Sequence, residues 1–205
     1  MSEYIQNVTR IPKPGKNFDV LEASVEMMKS LNTGGNVSFT TSSLPAIKIS
    51  VISALPFESL AEIEAFHDGF VSSDEMRDRF QKLAADCEDV NVAIIRHVRQ
   101  PSPLPAEPKY IVRTLMVAKR GEAPALLETV LEASEAFKTM DPQVSVPAFG
   151  NVDVVRVVTP LASLEDANAI AEELQGDAFA GFRRKIAFLT LSHMRTLSKV
   201  AYVSS

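Results

Sequence analysis

With 205 residues, 46% of them hydrophobic and 23% charged, the chain has the composition of a globular protein, as one large domain or two of about 100 residues. Its net charge of −5 argues against nucleic acid, and no apolar run reaches the roughly 18 residues needed to span a bilayer. The opening MSEYIQNVTR lacks a basic-then-apolar leader pattern and the lone Cys87 has no disulfide partner, so a reducing, cytoplasmic setting is expected.

In chain order, residues 4–11 are rich in β-branched types and stop at PKPG, which predicts a strand and then a turn. A helix from Asn17 follows, with Phe18, Leu21, Val25 and Met28 expected on its buried face. NVSFTTSSL and AIKISVISA read as two strands separated at Pro45. Ser59, with Glu62 three residues on, predicts a capped helix carrying Leu60, Ile63, His67 and Phe70 on one face. A further helix bears the stripe Met76, Phe80, Leu83 and Cys87, and DVNVAIIRHV alternates as a strand. PSPLPAEP (Pro101–Pro108) reads as an extended linker, because proline fixes φ and offers no backbone donor.

After the linker the pattern begins again. An offset of 106 sets Tyr110, Ile111, Lys119 and Gly121 on Tyr4, Ile5, Lys13 and Gly15, and an offset of 104 sets TPLASL on LPFESL. The second half predicts a strand at 110–118, a helix at 122–140, strands near 143–149 and 152–159, helices at 163–174 and 177–188, and a strand at 192–203. Each half has the order β-α-β-β-α-β, with its second helix broken in two. The expected fold is therefore α+β: two tandem ferredoxin-like repeats, residues 1–104 and 105–205, packed sheet to sheet as an intramolecular barrel. A sheet with helices on one face needs a cover on the other, and the second copy would supply it.

The strand–turn YIQNVTRIPKPGK and the helix SLAEIEAFHDGFVSSDEMRDRF resemble the antibiotic-biosynthesis-monooxygenase domains of the dimeric α+β barrel superfamily. The likeness covers nearly the whole chain, once per repeat, through short and degenerate motifs. It implies a binding cavity for an apolar or phenolic compound and oxidation without metal or flavin, in which a substrate anion reacts directly with oxygen. It also implies that Asn7 orients the substrate and that His67 takes or holds its proton. The second repeat departs from the pattern, with Arg113 for Asn7 and Ala171 for His67. The chain contains no tryptophan, and GFRR around Arg183 stands near the place of a haem-ligating histidine, so no cofactor is expected.

Read on the residues alone, each candidate has two accounts. His67 is a base or oxyanion donor, or else a satisfied core histidine on the Leu60–Ile63–Phe70 face. Asn7 hydrogen-bonds a ligand carbonyl, or is a polar residue of the strand. His97, beside Arg96 and Arg99, closes a cavity around an acidic ligand, or is an exposed strand end. Arg113 and Arg156 grip an anion, or pair with Asp153 or a glutamate. Glu64 and His67 have the spacing of a di-iron carboxylate motif, but no second such helix exists, and no metal is expected. The sequence thus points to a monooxygenase-like protein for a small-molecule ligand or, alternatively, a non-catalytic binding or interaction protein. A homodimer is compatible with either.

Overall fold

Runs rich in β-branched residues set up the strands, and the turn residues at Pro12–Gly15 end the first of them. The structure is a computed structural model that describes residues 2–31, 33–42, 48–100 and 108–204. The expected linker at Pro101–Pro108 and the expected boundary at 104/105 lie largely outside the described residues. The chain divides into two compact units, Met1–Ile95 with Lys199–Ser205, and Arg96–Ser198. The described residues contain eight strands and six α-helices, an α+β fold. No helix among them is long and apolar enough to cross a membrane.

The first unit runs β1 (Tyr4–Pro12), α1 (Asn17–Leu31), β2 (Gly35–Ser42), β3 (Val51–Phe57), α2 (Leu60–Ser72), α3 (Asp74–Ala85) and β4 (Cys87–Arg99, to Ile95 within the unit). β3 lies between β1 and β2 and is antiparallel to both, with Val8 opposite Ser53 and Ser38 opposite Ile52. The chain turns out of β1 at Gly15, whose φ of 80° suits a residue without Cβ. Ser59 caps α2 by accepting from the Glu62 amide at 3.2 Å, while the Glu62 carboxylate accepts from the Glu58 amide instead of closing a box on Ser59. Ser73 ends α2 and caps α3 through the Met76 amide.

The core of this unit packs Val20, Met27 and Met28 of α1 on Val37, Val51, Leu55 and Phe57 of the sheet, with Ile63, Leu83 and Cys87 closing it. Burial of each large apolar side chain contributes about 1.5–3 kcal/mol. The α1 stripe differs from expectation. The face turned inward is Val20, Ser24, Met27 and Met28, and Phe18 is 67% exposed. A rotation of the helix by one residue buries Ser24, and a polar serine hides that stripe from a pattern search. Leu60 is likewise exposed, because it stands in the first turn of α2 beyond the edge of the core.

The second unit runs β5 (Tyr110–Ala118), α4 (Ala123–Ala136), β6 (Gln143–Pro147), β7 (Val154–Leu161), α5 (Leu164–Gln175), a 3₁₀ turn (Asp177–Phe179), α6 (Ala180–Leu189) and β8 (Thr190–Ser204, to Ser198 within the unit). β7 lies between β5 and β6, antiparallel to both. Ser163 and Asp166 form a reciprocal capping box on α5. α4 stops at Ala136, short of the expected 140. The Glu173 carboxylate of α5 draws the Lys138 and Thr139 amides out of helical geometry, accepting from them at 2.8 and 3.2 Å. Met116, Ala118, Leu126, Val130, Val144, Val155 and Leu189 form the core of this unit.

Candidate functional site

Strand β1 presents Gln6, Val8 and Arg10 to the helices, and alternation turns Asn7 and Thr9 to the other face. Opposite, β3 contributes Ser53 and Leu55 through the pairs Val8–Ser53 and Gln6–Leu55. Between these strands and helices α1 to α3 lies a cavity of about 170 Å³ within the first unit. Ser24, Met27, Met28 and Leu31 of α1 wall it, with Phe66, His67 and Phe70 of α2, Phe80 of α3 and Val92 of β4. The phenylalanines form a continuous aromatic wall: the Phe66 and Phe70 centroids are 6.2 Å apart, and Phe70 and Phe80 meet edge to face at 5.7 Å.

His67 and Val92 are the exposed lining residues and mark the mouth, whereas Arg10, Ser24 and Met28 are at most 2% exposed and mark the floor. At the mouth His67 Nε2 is 2.6 Å from Gln6 Oε1, so Nε2–H donates to the amide oxygen. His67 is exposed and is therefore not the core histidine that its apolar neighbours suggested. On the floor Arg10 Nη1 donates to Ser53 Oγ at 2.9 Å and Nη2 lies 3.9 Å from Met27 Sδ. Arg10 Nε and Ser24 Oγ are buried without a hydrogen-bond partner. Desolvation lowers the Arg10 pKa to about 10, against a smaller upward pull from Cys87.

The structure does not bring Asn7 and His67 together. Asn7 is 7% exposed, its Oδ1 lacks a partner, and its side chain lies on the sheet face away from the cavity. The other three candidates lie in the second unit. In the β5–β7 ladder Arg113 faces Val158 and Leu115 faces Arg156, which sets the two arginines diagonally on one face, 8% and 6% exposed. Burial lowers Arg113 to about 9, with Arg156 adding to the effect, and lowers Arg156 to about 10. His97 is half-buried with Nδ1 unpartnered, and burial, then the nearby Arg156 charge, lowers its pKa to about 4. The expected pairing of Arg156 with Asp153 is not formed, and among the described residues Arg156 makes no ion pair.

Sequence reasoning missed Gln6, Arg10, Ser24 and Ser53. The signal for the first two was available: a period of two in QNVTR joins residues 6, 8 and 10 and separates them from 7.

No family model matches the chain, and no curated protein matches it in sequence. Solved structures do match. An anthrone oxidase-like protein superposes with a TM-score of 0.70 at 10% identity, over 100% of this chain and 96% of that one. A mutant chlorite dismutase from Candidatus Nitrospira defluvii gives 0.58 at 10% identity, over 100% and 94%. An uncharacterized ferredoxin-fold protein related to antibiotic biosynthesis monooxygenases, from Listeria monocytogenes, gives 0.52 at 11% identity, over 98% and 96%. At such identities the likeness is one of fold, and it is the ferredoxin-like fold of the group that the sequence resembles.

Proposed function

We propose that this chain binds a small apolar or phenolic molecule in the cavity of its first unit, with the ring against Phe66, Phe70 and Phe80, between the polar floor and the His67–Gln6 mouth. The observation that carries the reading is the cavity itself, which is apolar along its length and polar at its floor and mouth, as ligand sites are. Its volume bounds the ligand: about 150 Å³ of apolar cavity accommodates benzene, so about 170 Å³ suits one ring with a short substituent and not a fused polycycle. Binding without turnover is favoured over oxidation, because Asn7 faces away from the ring that His67 would meet. His97, Arg113 and Arg156 are a second candidate group, in the other unit, for an anionic ligand.

We also propose that the two halves of the chain, residues 1–104 and 105–205, are copies of one module. The ladder registers support this independently of the residue matches. Tyr4 pairs with Phe57 and Tyr110 with Leu161, so the offsets of 106 and 104 carry one pair onto the other.

The test of binding is ligand-observed NMR of the full chain with single-ring compounds such as toluene and phenol. Saturation transfer is expected from the wild type and is expected to vanish in Ser24→Leu, whose side chain fills the floor. Oxygen uptake on the same panel separates binding from oxidation: consumption that depends on His67 would favour the enzyme.

A further inference from the structure

The cavity holds more hydrogen-bond donors than acceptors. Arg10 brings a guanidinium that is 2% exposed, and its partners are a serine hydroxyl and a thioether, both neutral. Its Nε has no partner, and no ion pair to it exists among the described residues. Ser24 adds an unpartnered, buried hydroxyl on the same floor. The neighbouring Cys87 does not serve as a counter-ion: its thiol donates to the Leu83 carbonyl at 3.3 Å, and burial pushes its pKa up. A buried cation with only neutral partners is costly, and a partner anion removes that cost.

Building on the binding reading above, we infer that the ligand is a monoanion, a carboxylate on a single aromatic ring, seated with its carboxylate on Arg10 and Ser24 at the cavity floor. One guanidinium matches one carboxylate in charge and in fork geometry. A dianion such as a phosphate would leave a second charge buried among Val8, Leu55, Met27 and the phenylalanines. The ring then fills the apolar middle of the cavity, and the Gln6–His67 pair lies at its outer edge.

The test is titration calorimetry of the full chain at constant ionic strength with benzoate, its neutral isostere benzamide, phenol and phenylphosphonate. Benzoate is expected to bind at least about tenfold more tightly than benzamide, the discrimination that one charged hydrogen bond supplies. Arg10→Met is expected to abolish that preference, so that benzoate binds no more tightly than benzamide. Should Arg10→Met fail to fold, the wild-type melting temperature decides: benzoate is expected to raise it over an equal concentration of chloride, and benzamide to raise it less. Equal binding of benzoate and benzamide, or tighter binding of phenol or phenylphosphonate, overturns the inference and leaves the cavity reading standing. Failure of all four compounds to bind overturns both.

Discussion

Removing the buried charge at Arg10 should stabilise the ligand-free protein, which is the reverse of what loss of a well-bonded core residue does. Burial lowers the guanidinium pKa to about 10, which corresponds to about 3 kcal/mol against the charged form. Arg10→Met replaces it with an apolar side chain that fits beside Met27 and gives up the hydrogen bond to Ser53, a loss of about 1–2 kcal/mol. The net expectation is a gain of about 1–2 kcal/mol, or roughly 2–8 °C in melting temperature for a chain of this length. The sign with pH follows from linkage. Below pH 10 both folded and unfolded chains keep the proton, so the advantage of Arg10→Met is constant. Above about pH 10 the folded wild type releases its proton before the unfolded chain does, its deficit shrinks, and the two proteins converge. Thermal and urea denaturation of both proteins at pH 7 and pH 9, without ligand, measures this. A loss of more than about 2 kcal/mol in Arg10→Met would refute the reasoning, because it would mean that the cation already has a strong partner.

Three further outcomes follow from the geometry. His67→Leu should cost about 1–2 kcal/mol by stranding the buried Gln6 carbonyl, and Gln6→Leu in the same chain should recover most of it; equal costs in the single and double variants would show that the 2.6 Å contact contributes nothing. Below pH 6.5 the unfolded chain protonates His97 while the folded chain resists until about pH 4, so stability should fall across that window by about 2 kcal/mol, the full shift of about 3 kcal/mol being reduced by solvent screening at this half-buried ring; His97→Gln should flatten the limb, and matching acid titrations would disprove it. Gly35→Ala should destabilise by about 3 kcal/mol or more, because φ is +143° and a Cβ there meets the Ala54 carbonyl oxygen, whereas Gly15→Ala, in open space at φ +80°, should cost only about 1–2 kcal/mol; similar denaturation midpoints for the two variants would contradict this.

Most of the secondary structure was legible because its signals are local. The Ser59 cap and the turn at PKPG each act within a few residues. The α4 terminus was not legible, because it is fixed by Glu173, 34 residues from Thr139. The site divides in the same way. His67 stood out by residue type, but its place at the cavity mouth depends on how α2 packs against Gln6 of β1, 61 residues away. Arg10 stayed hidden because a lone arginine in an edge-like strand pattern reads as solvent-exposed, and only the packing of α1 over β1 buries it. The approach of His97 to Arg156 likewise depends on where β4 ends in the second unit, which no local pattern specifies.

The central claim is that the first unit's cavity is a ligand site, and a heavy-atom probe tests it most directly. Crystals of the full chain soaked with bromobenzene and measured at the bromine absorption edge should show one anomalous peak between Phe66, Phe70 and Phe80, absent from crystals of Ser24→Leu. A cavity that stays empty in the wild type at saturating bromobenzene, or a peak that persists in Ser24→Leu, would contradict the account.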